Sequence, residues 1–101
     1  MNTPKISIIT IVYNNVRDIE YTLLSVINQT YPHIEYIVID GASTDGTLEV
    51  INTYRGSIDV LVSEKDKGIY DAMNKGLERA TGDYVLFLNS GDELYDNSTI
   101  Q

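Results

Sequence analysis

Tyr36-Ile37-Val38-Ile39 runs without a break into Asp40-Gly41-Ala42-Ser43-Thr44-Asp45-Gly46-Thr47, and the same change recurs where Tyr84-Val85-Leu86-Phe87-Leu88 meets Asn89-Ser90-Gly91-Asp92. Continuous apolar runs of this length read as strands buried on both faces, the kind a parallel sheet requires. A buried strand gains nothing from solvent by ending in carboxylates and small residues. Each end is therefore expected to turn its carboxylate and bared backbone toward a ligand.

Outward from these two segments, periodicity predicts strands at 5–12, 36–40, 59–63 and 84–88, alternating with helices at about 16–28, 47–54 and 69–80. Such alternation implies an α/β fold: three layers, α/β/α, around a mostly parallel, Rossmann-like sheet. The first helix aligns Ile19, Leu23 and Val26/Ile27 on one stripe, the third aligns Ile69, Met73, Leu77 and Ala80, and both stripes are expected to face the sheet. Asn14 or Asn15 is the expected N-cap of the first helix, Tyr31-Pro32 halts its continuation, and Gly56 and Gly82 stand where left-handed helix ends are expected. Tyr95-Asp96-Asn97-Ser98-Thr99 reads as a polar turn opening a further helix. In a doubly wound sheet the first strand lies between the second and the fourth. Tyr13-Asn14, Asp40 and 89–92 would then surround one crevice at the switch point.

Composition narrows the partners. A chain of 101 residues, 43% hydrophobic, buries one small core, so 1–101 is read as a single domain. With a net charge of -8 and only 7 Lys and Arg, it is no phosphate-tracking nucleic-acid binder. The same charge repels a diphosphate, so binding one requires a metal or well-aimed backbone amides. The absence of cysteine excludes disulfides and thiolate metal sites and fits a reducing compartment. The apolar run 6–12, interrupted by Ser7 and Thr10, is too short for a signal-peptide core or a membrane span. The expected location is the cytoplasm, with peripheral association at the inner face of the membrane left open, as is homo-oligomerisation.

Three phosphate-handling patterns fail on inspection. Gly41 and Gly46 have P-loop spacing, but Thr47-Leu48 stands where Lys-Ser/Thr is required. Tyr13-Asn14-Asn15-Val16-Arg17 follows the first strand with no Gly-x-Gly-x-x-Gly, and it also lacks the acidic cluster of a receiver domain. A hard divalent cation, Mg2+ or Mn2+, held by one or two carboxylates and the ligand's own phosphates is the obvious candidate.

Four blocks, taken in order, resemble the family 2 glycosyltransferases of the GT-A fold. They are Ile6-Ser7-Ile8-Ile9-Thr10-Ile11-Val12-Tyr13-Asn14; Val38-Ile39-Asp40-Gly41-Ala42-Ser43-Thr44-Asp45-Gly46-Thr47; Glu64-Lys65-Asp66-Lys67-Gly68-Ile69-Tyr70-Asp71-Ala72-Met73-Asn74-Lys75-Gly76; and Phe87-Leu88-Asn89-Ser90-Gly91-Asp92. Their order and spacing cover nearly the whole chain, and within the family it looks most like bacterial enzymes that build surface polysaccharides. The resemblance implies a truncated GT-A fold, the donor-binding half of an inverting, metal-dependent enzyme. Such an enzyme moves a sugar from a nucleoside diphosphate donor, UDP-type by expectation, to a saccharide or lipid-linked saccharide. It assigns Thr10, Tyr13 and Asn14 to the base and ribose pocket and makes Asp40 the carboxylate that accepts from the base. Asp66 and Asn74 become further donor contacts. Asn89-Ser90-Gly91-Asp92 matches the metal-holding Asp-x-Asp region, with Asn89 and Gly91 in place of carboxylates, so Asn89 and Ser90 line the nucleotide and Asp92 is the metal ligand. The catalytic base is expected beyond the metal motif, so that this chain binds nucleotide without turning over.

Other readings of the same residues stand beside these. Asp40 also suits a turn cap, Asp45 suits the N-cap of the second helix, and Ser90-Gly91-Asp92 suits an ordinary solvated turn. Lys75 is expected in a surface pair with Asp71 at i-4. His33 is expected in an exposed connection. A non-catalytic nucleotide or carbohydrate binding module is the competing function on the same scaffold.

Overall fold

The computed structural model describes residues 3–90. Asp92, the expected metal ligand, lies outside the described residues, as does the 95–99 segment. Four strands, β1 (Ile6–Val12), β2 (Ile34–Asp40), β3 (Val60–Ser63) and β4 (Tyr84–Phe87), alternate with the helices α1 (Ile19–Ile27), α2 (Thr47–Thr53) and α3 (Ile69–Arg79), and a short 3-10 turn spans Arg55–Ser57. The sheet order is β3-β2-β1-β4 and every pairing is parallel, so β1 lies between the second and fourth strands as expected. Among the described residues no helix is long and apolar enough to cross a membrane.

Alternation along the strands divides the core in two. Ile8 and Val12 of β1 with Tyr36 and Val38 of β2 meet Ile19, Leu23 and Val26 of α1 and Ile51 of α2, while Ile9, Ile37 and Ile39 face Ala72 of α3 on the opposite side. The sheet is thus the middle of three layers. Each fully buried Ile or Leu in it contributes roughly 1.5–3 kcal/mol relative to exposure. At the fourth strand this cover thins, leaving Tyr84, Val85 and Leu86 exposed.

Three local expectations are corrected. α1 begins at Ile19 rather than near Val16, because the Asn15 carbonyl accepts the N–H groups of Asp18 at 3.2 Å and Ile19 at 3.1 Å and closes a separate turn first. Asp18 occupies the N-cap without a side-chain cap bond, and Asn14 and Asn15 are engaged elsewhere. On α3 the face toward the sheet is Ala72 and Gly76 with Ala80 of the expected stripe beside them, whereas Ile69 and Leu77 are 52% and 45% exposed. The cause is close approach: a Cβ on Gly76 would stand 2.6 Å from Ile9 Cγ2, so only the smallest residues fit beneath the helix and the larger ones ride on its flanks. The left-handed glycines among the described residues are Gly46 (φ 102°) and Gly68 (φ 118°), which precede α2 and α3, instead of Gly56 and Gly82 at helix ends. Gly82 is needed for space, since its Cβ would fall 2.6 Å from Ser7 Oγ, 2.8 Å from Ser7 N and 2.9 Å from Lys5 O.

Glu35 ties the start of β2 across β1 to the segment entering β4. It accepts hydrogen bonds from Ser7 Oγ, Thr81 N–H and Thr81 Oγ1, each at 2.8 Å, and lies 3.5 Å from Lys5 Nζ. Partial burial alone would raise its pKa, but the Thr81 N–H, the two hydroxyls and the Lys5 charge together hold it below its ordinary 4.5.

Gly82→Ala is expected to destabilise the fold by about 1–3 kcal/mol, because it meets backbone that cannot give way. Gly76→Ala should cost less, since the helical gain of about 1 kcal/mol offsets part of the clash with Ile9; urea denaturation of both variants checks the ranking. A carboxylate with a depressed folded pKa contributes stability above its unfolded pKa and loses it as pH falls through the folded one. The urea midpoint of the native protein should therefore fall more steeply than that of Glu35→Gln as pH is lowered from about 6 to about 3, and parallel curves would contradict this.

Candidate functional site

The carboxyl ends of the strands reach one edge of the sheet, where Val12, Asp40 and Ser63 stand in register. Asp40 is 0% exposed. Its Oδ1 accepts from Ser43 Oγ at 2.5 Å, and its Oδ2 accepts from Ser43 N–H at 3.1 Å and Ser63 Oγ at 2.8 Å. A buried carboxylate without donors would be costly, and here three donors from two neighbouring segments satisfy it. Its backbone is held as well, with Gly41 N–H on Val12 O and Glu64 N–H on Asp40 O, both at 3.0 Å. The tight return of Ser43 onto Asp40 leaves Ala42 in the left-handed region at φ 64°, a conformation that costs a non-glycine residue about 1–2 kcal/mol.

The end of β1 is stitched to the same loop. Asn14, itself at φ 45°, donates its N–H to Ser43 Oγ at 2.8 Å and accepts the Thr44 N–H on Oδ1 at 2.7 Å. Asn15 N–H reaches Thr47 Oγ1 at 3.0 Å, and its Nδ2 donates to Ser90 Oγ, also at 3.0 Å, while Ser90 N–H returns to Ile11 O at 3.1 Å. Asp45 accepts from Thr47 N–H at 3.0 Å and from Val16 N–H at 3.1 Å, so it opens α2 as a helix-start acceptor from the position before Gly46. The Thr47 hydroxyl first, then those amides, hold its carboxyl below the ordinary range.

Two adjoining cavities open over this edge. One, of about 260 Å³, is lined by Tyr13, Gly41, Ala42, Lys65 and Asp66. The other, of about 300 Å³, shares Tyr13 and Asp66 and extends past Ile11, Gly68 and Ala72 toward α3. The loop carrying Asp66 is fastened to α3 by Lys75, whose Nζ donates to Lys65 O at 3.0 Å and pairs with Glu64 at 3.3 Å and Asp71 at 3.5 Å. The expected Asp71 pair is thus one strand of a larger clamp. Desolvation would lower the Lys75 ammonium, but Glu64 and Asp71 hold it above its ordinary value. Asp71 also accepts the Lys67 N–H at 2.9 Å.

Of the residues singled out from sequence, Tyr13 and Asp66 line both cavities, and Asn14 and Ser90 sit in the hydrogen-bonded rim beside them. Thr10 and Asp40 are brought inside instead. Thr10 is buried with its hydroxyl 2.7 Å from Tyr36 Oη, and burial drives that phenol above its ordinary value of 10.0. Asn74 is exposed on α3 and lines neither cavity, and Asn89 is exposed just beyond β4. Asn15, Ala42, Ser63 and Lys65 were not anticipated. Asn15 could have been found as the neighbour of Asn14 and Lys65 as a cation beside Asp66, but nothing in an alanine announces a left-handed backbone. Among the described residues no group of three or more His, Cys, Asp or Glu is placed to hold a cation, so these residues alone do not make a metal centre.

Ala42→Gly is expected to raise stability by up to about 1 kcal/mol, and Ala42→Val to lower it by more than about 1 kcal/mol, measured as shifts in the denaturation midpoint. Equal midpoints would mean that the left-handed turn carries no strain.

Comparison with known proteins places this arrangement. TuaG of Bacillus subtilis (strain 168), whose name assigns it to teichuronic acid biosynthesis, is 44% identical over 89% of the chain and 37% of that protein. A PGL/p-HBAD biosynthesis glycosyltransferase of Mycobacterium bovis (strain BCG / Pasteur 1173P2) is 36% identical over 99% of the chain and 40% of its own length. The chain therefore spans well under half of these relatives. Among solved structures, the mannosyltransferase PcManGT of Pyrobaculum calidifontis, in complex with GDP-Man and Mn2+, superposes with a TM-score of 0.87 at 29% identity, over 95% of this chain and 30% of that one. Staphylococcus aureus TarS 1-349, in complex with UDP-GlcNAc, gives 0.84 at 31% identity, over 95% and 29%. The glycosyl transferase family 2 model matches residues 7–101, and the chain belongs to that family.

Proposed function

We propose that this chain is the donor-binding half of a glycosyltransferase of bacterial surface-polysaccharide assembly, taking a nucleoside diphosphate sugar into the crevice over β1 and β2. The observation that carries the reading is the pair of cavities sharing Tyr13 and Asp66 at the carboxyl ends of parallel strands, beside the β1/β4 switch point. Support comes also from the relatives' names, which speak of teichuronic acid and PGL/p-HBAD biosynthesis, and from the nucleotide sugars in the PcManGT and TarS complexes.

In this reading the nucleotide lies against Tyr13, Asn14 and Asp66, with Asn89 and Ser90 along the path to the diphosphate and Asn74 at the outer wall. Thr10 and Asp40 act from beneath, by fixing the strand ends. The donor is UDP-type, and the acceptor is a saccharide or lipid-linked saccharide approached in the cytoplasm. A divalent cation, Mg2+ or Mn2+, at Asp92 would neutralise the leaving diphosphate, and the Mn2+ in the PcManGT complex supports that choice. Transfer is taken to be inverting, with the catalytic base outside these 101 residues, so the chain binds nucleotide without turnover.

Titration of the chain with UDP and Mn2+, followed by backbone amide NMR, tests the proposal. Shifts at Tyr13, Asp66 and Ser90 that saturate in the range of about 1 mM are the expected result. No shift at any of the three at that concentration would overturn it.

A further inference from the structure

Lys75 lines neither cavity. Its side chain is 15% exposed, and its Nζ faces three acceptors: Lys65 O at 3.0 Å, Glu64 at 3.3 Å and Asp71 at 3.5 Å. An ammonium carries three N–H donors and no acceptor, so there is one donor for each partner. Two of those partners lie on 64–68, the segment whose Lys65 and Asp66 line one cavity and whose Asp66 and Gly68 line the other. Asp71, the partner on α3, also takes the Lys67 N–H at 2.9 Å. Toward the sheet, Glu64 N–H on Asp40 O at 3.0 Å fixes where the segment leaves β3. The pair with Glu64, whose side chain is 56% exposed, is screened by solvent and holds weakly. The bond to Lys65 O acts on the backbone itself. Peptide units are planar and trans, so a carbonyl turned toward Lys75 sends the Asp66 N–H the opposite way, and that N–H has no hydrogen-bond partner among the described residues.

We infer that Lys75 is a positioning residue for ligand binding: by holding Lys65 O against α3 it keeps the 64–68 wall where Lys65 and Asp66 line the crevice, without touching the ligand itself. This rests on the nucleotide-binding reading above and assigns no contact to any part of the nucleotide. The wall needs such a hold, because Asp66 stands close over Gly41, its Oδ2 lying 3.0 Å from where a Cβ there would be, and a small displacement of the segment changes the shape of both cavities. Within the segment Asp66 is tied only to its neighbour, Oδ1 accepting the Gly68 N–H at 3.2 Å. Without the ammonium the segment spreads over other positions, and apparent affinity falls in proportion to the fraction still correctly placed.

The test uses the absence of cysteine from the sequence, which makes Lys75→Cys the sole thiol. Labelled in urea and refolded, that thiol reacts with bromoethylamine to give a thioether carrying an ammonium on a stem of lysine's length, or with iodoacetamide to give a neutral adduct. UDP with Mn2+ is titrated by calorimetry into the native chain, Lys75→Cys and both adducts. Lys75→Cys and the neutral adduct are expected to bind about tenfold more weakly, and the ammonium adduct to return within about twofold of native. Glu64→Gln, which keeps the carbonyl bond, should change affinity by less than about threefold. Circular dichroism and the urea midpoint check that each protein is folded; Lys75→Met, whose unbranched stem keeps the packing, carries the comparison if the cysteine variant does not fold. If the native chain binds no UDP, the nucleotide reading fails and this inference with it. If the native chain binds but Lys75→Cys or Lys75→Met binds equally tightly, or the ammonium adduct regains the native urea midpoint without regaining affinity, the inference alone is overturned.

Discussion

The buried carboxylate of Asp40 is the constraint on which the crevice depends. It receives donors from the loop that follows it and from the end of β3, so one side chain sets both the path of 41–44 and the spacing of two strand tips. Replacing it by an apolar residue would leave the Ser43 and Ser63 hydroxyls and the Ser43 amide in search of partners, and unmet polar groups of this kind each cost about 1–3 kcal/mol. Ala42 takes its left-handed turn within this short return of Ser43 onto Asp40. Asn14 braces the far side of that turn with two further bonds.

The other wall is held differently. The 64–68 segment carries Asp66 over Gly41, and its attachment to α3 runs through Lys75, a flexible side chain with acidic partners on both sides. Arrangements of charge at partly exposed positions are individually worth little. Two of the Lys75 contacts, Glu64 and the Lys65 carbonyl, reach the loop, and Asp71 on the helix takes the Lys67 N–H; together they restrict where the loop can go more than any one of them would.

Much of this was legible in sequence, for identifiable reasons. β1 and β2 are predominantly apolar, so their existence followed from hydrophobicity, their parallel pairing from the alternation of strands with helices, and the central place of β1 from the order of a doubly wound sheet. The place of Asp45 before Gly46-Thr47 points to the N-cap of the second helix, but Gly46 takes that position and Asp45 accepts the Thr47 N–H from one residue earlier. What could not be read were distances. Periodicity assigns the stripe of α3 to Ile69, Met73, Leu77 and Ala80; Ala80 does pack on the inner cluster, yet the closest approach to the sheet is through Ala72 and Gly76, because Ile9 fills the gap beneath. Thr10 and Asp40 sit on the strand-end segments that the motifs mark, but whether a polar side chain there points into the crevice or into the core depends on which neighbours offer it bonds. Tyr36 and Ser63, the partners that settle this, lie 26 and 23 residues away in sequence. The caps at Asn14 and Asn15 failed for the same reason, since tertiary partners outbid the local helix end.

The outermost strand carries a different kind of information. β4 pairs only with β1 among the described residues and leaves Tyr84, Val85 and Leu86 exposed, which is the composition of an adhesive sheet margin. A formal charge of -8 on each molecule opposes contact between such margins. That repulsion vanishes as the medium approaches the isoelectric point near 4.3 and is screened by added salt. Acidity and added salt are accordingly expected to promote strand-to-strand contact between copies at β4, which charge opposes.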